Sequence, residues 1–335
     1  MKKWFFMIAS VLALSAIATV WGGPGKEKPT EKVVVGVSKI VSHPALDAVE
    51  QGIQDELTEL GYDVDYDLQN ANGDLSAAAS IARKFKADEV DFAVGIATPT
   101  SQALVEALKG TDIIVVYSAI TNPVDAGLVS SFDKGEENIT GVSDLTPVKA
   151  QIELLSNITD VKSLGHVYSS GEANAVYLAG LAEEACQELG IEFIESTVTN
   201  SSEVKQAVQS IIGRVDGIYV STDNTVVSAL SAVIEVAMKN QVPIMSADPS
   251  SAEKTDILVA WGFNYYKMGR VTGKLIADIL KGKKPVDIPT IFLTDPSESD
   301  LLINLDVAKE LGINIPRKIQ KDANMIVENG ELTKK

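Results

Sequence analysis

The sequence of 335 residues contains one cysteine and two histidines, and this scarcity restricts the chemistry that the chain can support. The lone Cys186 cannot form an internal disulfide, and two histidines cannot supply a histidine-rich metal site. Cys186 lies in a segment with helical periodicity, where a buried, inert thiol is expected. The fold must therefore be stabilised by packing alone, and we expect no metal and no cofactor.

Recognisable catalytic motifs are also missing. The sequence has no G-x-G-x-x-G, G-x-x-x-x-G-K-[ST], G-x-S-x-G or H-E-x-x-H. Ser38 and His43 could in principle form a nucleophile and its base, but no third group that would orient the histidine is identifiable. We therefore expect a binding protein, not an enzyme.

Basic charge is in deficit. The 46 acidic residues outnumber the 29 basic ones, which gives a formal net charge of −17 at pH 7. Such a surface repels nucleic acid and anionic lipid and favours solubility. We expect no nucleic-acid partner, and a transcription regulator would also need a DNA-binding helix-turn-helix.

The N-terminus has the layout of a secretory signal peptide. Lys2 and Lys3 precede an uncharged, mostly apolar run over 4–21, and a glycine- and proline-rich break follows at 22–25. The alternative is a retained membrane anchor, since about 18 apolar residues is near the lower limit for a span. Interruption of the run by polar residues favours cleavage.

The predicted signal peptide covers 1–22, and the composition of 23–32 is typical of a flexible tether. No cysteine follows the apolar run, so the chain lacks the lipobox cysteine to which a lipid anchor would be attached. We therefore expect an exported protein, located in the periplasm or outside the cell.

From residue 33 onward, an apolar strand-like run repeatedly ends in a small polar cluster that leads into a helix-like segment. The first run, 33–37, is continuous and β-branched, which is typical of a parallel strand buried on both faces. The series begins again after Asp144. The pattern predicts an α/β fold of two doubly wound parallel-sheet lobes, joined by a hinge that the chain crosses more than once.

The predicted first lobe comprises 33–144 plus about 248–288, and the second comprises 145–247 plus about 289–330. Ligands bind outside the carboxyl ends of parallel strands, where helix N-termini present free N–H groups. The polar clusters follow such strand ends. The candidate ligand-binding residues are Ser38, His43, Thr98, Thr100, Ser118, Ala119, Thr121, Asp144, Ser169, Ser170, Asn174, Ser221, Thr222, Asp223, Asp248 and Trp261.

Two kinds of ligand group can be matched to these candidates. Thr98 and Pro99 are suited to begin a helix whose amides would hold a carboxylate, although Thr98 could simply cap that helix. A buried ammonium needs a carboxylate, and Asp144, Asp223 and Asp248 are the candidates. Asp223 ranks first because polar residues surround it, although each aspartate could serve only as a helix N-cap.

Aromatic residues are concentrated at one predicted strand end. Trp261 leads a cluster that includes Phe263, Tyr265 and Tyr266, and it could stack on a ligand ring. Core or hinge packing explains the cluster equally well. His166 lies within an apolar strand and is predicted to be a core residue.

Several of these segments together resemble a known family. They are Val37-Ser38, His43-Pro44-Ala45-Leu46-Asp47, Ala97-Thr98-Pro99-Thr100, Ser118-Ala119-Ile120-Thr121-Asn122-Pro123, Asn138-Ile139-Thr140-Gly141-Val142-Ser143-Asp144, Tyr168-Ser169-Ser170-Gly171-Glu172-Ala173-Asn174 and Ser221-Thr222-Asp223-Asn224. The chain is similar over 33–329 to ABC transporter substrate-binding proteins of the tryptophan/tyrosine-binding type, which have the type I periplasmic binding protein fold.

This resemblance implies that the protein captures a small ligand between its lobes by hinge closure and delivers it to an ABC permease in the membrane. It implies an aromatic amino acid as the ligand, namely tryptophan, tyrosine or phenylalanine, and a monomeric protein. The alternatives are a binding protein that signals to a membrane receptor, or one that takes branched-chain amino acids or another small polar solute. The missing lipobox cysteine departs from many relatives and favours a periplasmic setting.

Overall fold

Two separate β-sheets organise the computed structural model, which describes residues 32–335. The predicted signal peptide and almost all of the predicted tether lie outside the described residues. The predicted fold class, with two doubly wound α/β lobes, is confirmed. Within 32–335, no helix is both long and apolar enough to span a membrane.

The strands follow the helices in close alternation. In chain order they are β1 Val33–Lys39, β2 Val64–Asn70, β3 Phe92–Ile96, β4 Ile114–Ile120, β5 Ile139–Ser143, β6 Ser163–Ser169, β7 Glu192–Val198, β8 Gly217–Val220, β9 Ile244–Ser246, β10 Val259–Phe263, β11 Ile291–Phe292, β12 Ser299–Asn304, β13 Met325–Glu328 and β14 Glu331–Lys334.

The α-helices are α1 Pro44–Glu59, α2 Leu75–Ala87, α3 Thr98–Ala107, α4 Val148–Thr159, α5 Ala173–Leu189, α6 Val204–Ile211, α7 Asn224–Ser228, α8 Leu230–Lys239, α9 Pro249–Ala252, α10 Tyr265–Leu280, α11 Leu305–Glu310 and α12 Arg317–Asp322. Short 3₁₀ turns lie at Ser201–Glu203, Ile212–Arg214, Pro285–Asp287 and Pro296–Glu298.

The first lobe is built on a six-stranded sheet with the order β11-β5-β4-β3-β1-β2, in which every pairing is parallel. Its central strand β3 is buried along its whole length, as expected of a continuous apolar run covered on both faces. Helices α1, α2, α3 and α10 contribute to the core of this lobe. Because the strands are parallel, their carboxyl ends share one edge of the sheet.

The second lobe is built on an eight-stranded sheet with the order β14-β13-β12-β10-β9-β8-β6-β7. The strands from β6 to β10 are parallel, whereas β12 pairs antiparallel with β10, and β14 pairs antiparallel with β13. The sequence pattern did not predict β12, β13 or β14 as strands. These strands are short and partly exposed, and their pairing is a tertiary feature.

The chain passes between the two sheets three times: between β5 and α4, between β10 and α10, and between β11 and β12. The predicted boundaries differ from this arrangement in two places. Residues up to Phe263 lie in the second lobe, because β10 pairs with β9 and β12. Residues 291–292 lie in the first lobe, because β11 pairs with β5. An apolar run predicts a buried strand but does not specify its sheet.

Helices α1 and α10 approach each other unusually closely. A Cβ atom added to Gly269 would lie 2.2 Å from the Val49 carbonyl oxygen, and one added to Gly52 would lie 2.3 Å from the Tyr266 carbonyl oxygen. Only glycine allows backbones to pack at this distance. The contact fixes the start of α10 beside the start of α1, at the edge of the sheet where the strands end.

Candidate ligand-binding cleft

A narrow cleft lies between the lobes, at the carboxyl ends of both sets of strands. This position agrees with the general location of ligand sites in open α/β sheets. The cleft is lined by His43, Ala45, Leu46, Ala97, Thr98, Ala119, Thr121, Asp144, Asn174, Thr222, Asp223, Asn224, Val227, Asp248 and Tyr265.

More than half of the predicted site residues line this cleft. They are His43, Thr98, Ala119, Thr121, Asp144, Asn174, Thr222, Asp223 and Asp248. Each lies at a strand end, in the turn that follows it or in the first turn of the next helix, so the local strand-to-helix pattern was sufficient to find them. Their contact with a ligand stays a prediction.

The remaining predicted residues are near strand ends but do not line the cleft. The Thr100 hydroxyl donates to the Ile96 and Ala97 carbonyl oxygens, at 2.8 and 3.1 Å. Ser118 shares a 2.7 Å hydrogen bond with Thr272 of α10. These hydroxyls serve the packing of the first lobe.

Four serines are placed similarly. Ser38 and Ser221 are buried and lie outside the lining of the cleft. The Ser169 backbone N–H donates to Asp223 at 2.6 Å, and the Ser170 hydroxyl lies 3.4 Å from the Val198 carbonyl oxygen. Strand-end position alone did not distinguish these residues from those that face the cleft.

Trp261 also lies outside the cleft. Its side chain is half-buried and packs against the core of the second lobe, and its carbonyl oxygen accepts a hydrogen bond from Gln151. The aromatic side chain that does line the cleft is Tyr265, the first residue of α10. Of the two explanations for the aromatic cluster, packing is therefore the one that fits Trp261.

Asp144 connects the cleft to the crossing segments. It follows β5 at the first crossing, and its carboxylate accepts hydrogen bonds from the Tyr265 hydroxyl at 3.0 Å and from the Thr121 hydroxyl at 3.3 Å. The side chain is only 4% exposed. Burial raises the pKa of Asp144 to about 6, against the opposing effect of its two hydroxyl donors.

Asp223 has a structural task as well as a place in the cleft. One carboxylate oxygen accepts from the Val226 N–H at 2.9 Å and caps α7, and the other accepts from the Ser169 N–H. Burial, and then the nearby Glu172 carboxylate, raise the pKa of Asp223. The predicted alternative, a helix N-cap, is therefore present at this residue.

Asp248 is also an N-cap. Its carboxylate accepts from the Ser250 N–H at 2.9 Å and from the hydroxyls of Ser250 and Ser251. His43 lies across the cleft lining, at the start of α1, and burial lowers its pKa despite the opposing effect of the Asp248 charge. A neutral imidazole is consequently the favoured state of His43.

Several buried polar atoms in the cleft have no hydrogen-bond partner among the described residues. They are Asn174 Oδ1, Thr222 Oγ1 and His43 Nδ1. The amide group of Asn174 donates to the Thr222 carbonyl oxygen at 3.0 Å, which leaves its oxygen directed elsewhere. Buried polar atoms are rarely left unpaired, so these atoms indicate where a polar ligand group would be accepted.

Two alanines in the cleft adopt backbone conformations that normally require glycine. Ala97 has φ 78° and Ala119 has φ 57°. Each lies at the end of a first-lobe strand. Strain of this kind, of order 1–3 kcal/mol for each residue, is concentrated at ligand-binding sites.

The charge of the cleft is one-sided. Asp144, Asp223 and Asp248 line it, whereas no lysine or arginine does among residues 32–335. Within the same residues, no group of histidine, cysteine or acidic side chains has an arrangement that could hold a metal ion. The arrangement can therefore hold a cationic group through carboxylates, and a carboxylate through backbone N–H groups at the start of α3.

The family description "ABC transporter substrate binding protein" matches residues 34–327, which is nearly the whole described chain. The chain belongs to this family. The description is that of a solute-binding protein. The predicted resemblance is confirmed.

Similar proteins support the assignment of this ABC transporter substrate-binding protein. A curated tyrosine-binding protein of Clostridioides difficile is 34% identical over 90% of this chain and 86% of its own length. A crystal structure of a conserved domain protein from Vibrio cholerae is 40% identical and has a TM-score of 0.85, covering 89% of this chain and all of that one. An ABC domain from Streptococcus pneumoniae in complex with L-Trp is 34% identical, with a TM-score of 0.84 and the same coverage.

The cleft of the substrate-binding protein also contains residues that were not predicted from the sequence to bind a ligand. They are Ala45, Leu46, Ala97, Asn224, Val227 and Tyr265. Most are apolar, and an apolar residue next to a strand end has no signal that separates a ligand contact from a core contact. Tyr265 belongs to the aromatic cluster around Trp261, and Asn224 ends the polar segment that begins at Ser221. Whether their side chains face the cleft depends on how the chain crosses between the lobes.

Proposed function

We propose that this protein is the exported binding component of an ABC importer and captures an aromatic amino acid between its two lobes. The observation that carries the proposal is the buried cleft, in which three carboxylates line one small space without a basic side chain among the described residues. The tyrosine-binding relative and the relative solved with L-Trp support the aromatic class.

The cleft offers a partner for each part of an amino acid. The ammonium group would be held by a carboxylate, and the carboxylate group by N–H groups at the start of α3, near Thr98. The ring would contact Tyr265, Leu46 and Val227, which supply the aromatic and apolar surface of the lining.

Binding would proceed by hinge closure. The cleft takes residues from both lobes, and three crossings connect them. A ligand that contacts one lobe first and the second lobe on closing stabilises the closed state, because only that state offers both sets of contacts. A permease can then distinguish the closed, loaded protein from the open one.

The remaining components follow from the same proposal. The N-terminal 22 residues would serve as a cleaved signal peptide, the protein would act as a monomer outside the cytoplasmic membrane, and its partner would be an ABC permease. A binding protein that reports to a membrane receptor would use the same closure. A permease encoded beside this chain would favour transport.

The test is a thermal-shift series on the chain from residue 23 onward, after unfolding and refolding to remove bound ligand. The panel contains the twenty amino acids, simple sugars and nucleosides. We expect a rise in melting temperature with tryptophan, tyrosine or phenylalanine, because a ligand that binds only the folded state stabilises it by mass action. A rise confined to aliphatic amino acids or sugars would contradict the aromatic assignment.

A further inference from the structure

The three carboxylates of the cleft differ in how far the protein itself satisfies them. Asp223 accepts two backbone N–H bonds, at 2.6 and 2.9 Å. Asp248 accepts a backbone N–H and two hydroxyls. Both are N-caps, and hydrogen bonds of this kind occupy the carboxylate oxygens without any ligand. Burial and the nearby Glu172 carboxylate nevertheless raise the pKa of Asp223 to about 7, so the contrast with Asp144 is one of hydrogen-bond partners.

Asp144 has much weaker support. Its only side-chain donors among the described residues are the Tyr265 and Thr121 hydroxyls, and the second lies at 3.3 Å, the long end of a hydrogen bond. It receives no backbone N–H from another residue and caps no helix. A carboxylate that is 4% exposed and lacks a cation is costly to bury.

A second observation points to a cationic ligand group in the same space. Asn174 Oδ1 is buried in the cleft without a donor among the described residues, and Asn174 is only 5% exposed. Asn174 comes from the second lobe and Asp144 from the first crossing. An ammonium group has three N–H donors and can satisfy several such oxygens together.

We propose that Asp144 is the residue that selects a protonated amino group in the ligand, and that Asp223 and Asp248 act mainly as structural caps. This inference rests on the proposed function and reverses the order of the aspartates that the sequence favoured. It predicts that the protein discriminates against aromatic acids that lack the amino group. The Tyr265 hydroxyl also donates to Asp144. This hydrogen bond links the first crossing to the second, so the same carboxylate would hold two segments of the proposed hinge together.

The experiment measures affinity by calorimetry for three related probes with the wild-type protein and with Asp144→Asn. The probes are L-tryptophan, tryptamine, which lacks the carboxylate, and indole-3-propionate, which lacks the ammonium. If tyrosine gives the larger thermal shift, the corresponding phenol probes replace them. Asp223→Asn is the matched variant within the cleft, and Asp306→Asn is the matched change of charge on the surface, where Asp306 accepts from the Asn329 and Gly330 N–H groups.

We expect Asp144→Asn to weaken L-tryptophan and tryptamine by about 10- to 100-fold, the range typical of a charged hydrogen bond. Indole-3-propionate should bind the variant as tightly as the wild type, or more tightly. Asp223→Asn should lower the melting temperature and affect all probes by a similar factor. Equal losses for all probes with Asp144→Asn, or an ammonium-selective loss with Asp223→Asn, would overturn the inference.

A measurement on unmodified protein covers the case in which Asp144→Asn does not fold. Burial raises the pKa of Asp144 to about 6, so pairing with an ammonium should release a proton on binding at pH 6 and almost none at pH 8. Calorimetry in buffers of different ionisation enthalpy detects this release, and the Asp223→Asn variant separates it from the Asp223 contribution. No release at pH 6 would contradict the inference.

The measurements distinguish an error in the proposed ligand from an error in the role of Asp144. If the wild type binds tryptamine but no aromatic amino acid, and Asp144→Asn loses tryptamine selectively, the role of Asp144 stands while the proposed ligand is wrong. If the wild type binds L-tryptophan but Asp144→Asn retains it, the ligand stands and the role of Asp144 is wrong.

Discussion

At the scale of single residues, the buried His166 makes the stability of the fold depend on pH. Its ring is fully buried beside Tyr168, Phe193 and Tyr219, and its Nδ1–H donates to the Tyr219 carbonyl oxygen at 2.9 Å. Its Nε2 has no partner among the described residues. This environment therefore favours the neutral imidazole over the charged form.

We expect this histidine to destabilise the fold in acid. Burial lowers its pKa from 6.5 to about 4, so the unfolded chain binds the proton more readily than the folded protein. Above pH 6.5 the residue costs the folded state nothing. As the pH falls from 6.5 toward 4, the free energy of unfolding decreases, and the loss reaches about 3 kcal/mol. Urea unfolding between pH 4 and 7 measures it.

The matched variant is His166→Asn, whose side chain does not titrate. The free energy of unfolding of the wild type should decline more steeply toward pH 4 than that of the variant, and the difference between the two curves cancels the contribution of the carboxylates. Parallel curves would show that His166 does not govern this response.

At the same scale, two neighbouring aromatic residues show why the site was only partly predictable from the sequence. Trp261 was the predicted ligand contact, but Tyr265 is the aromatic residue that lines the cleft. Trp261 and Tyr265 lie four residues apart, but the first is in β10 and the second begins α10, with a crossing between them. Composition identified the cluster. Only the path of the chain between the lobes determines which ring reaches the cleft.

At the scale of elements, local patterns predicted the parallel strands and their following helices well, because a continuous β-branched run and a capped amphipathic segment are each determined locally. Local patterns could not predict to which of the two sheets β10 and β11 each belong. Their partners are β9, β12 and β5, and sheet membership is a non-local choice among apolar edges.

The contact between α1 and α10 supplies a prediction at this scale. Gly269→Ala would put a Cβ atom 2.2 Å from the Val49 carbonyl oxygen and 3.0 Å from Gly52 Cα. The helices would have to separate, at a cost of about 1–3 kcal/mol by analogy with overpacked cores. Because Tyr265 begins α10, the affinity for ligand should fall as well.

The control for this variant is Gly180→Ala in α5. A Cβ atom there would have no neighbour within 4 Å, so the gain in helix propensity should stabilise the protein by about 0.5–1 kcal/mol. Thermal unfolding distinguishes the two changes. A Gly269→Ala protein as stable as the wild type would show that the close approach of the helices is not required.

At the scale of the whole molecule, the residues of the cleft come from two lobes, and within residues 32–335 the chain crosses between these lobes three times. Hydrogen bonds link the crossing segments directly: the Asn264 N–H donates to the Glu298 carbonyl oxygen at 2.8 Å, and the Asn264 side chain donates to Asp300 at 2.9 Å. The Tyr265–Asp144 bond adds the first crossing to this set. The crossing segments are therefore hydrogen-bonded to one another, which is the arrangement that the proposed hinge would need.

The last prediction follows from this arrangement. In the proposed mechanism, the buried carboxylates would disfavour closure when no cation is present, because burying like charges together is costly, and a bound amino acid would remove that cost and add contacts to both lobes. We expect small-angle scattering of refolded, ligand-free protein to show a larger radius of gyration than in the presence of saturating aromatic amino acid. An amino acid that gives no thermal shift is the control and should leave the scattering unchanged. Identical profiles with and without the bound ligand would mean that capture occurs without rotation of the lobes, and the Asp144–Tyr265 bond would then be a fixed part of the cleft wall.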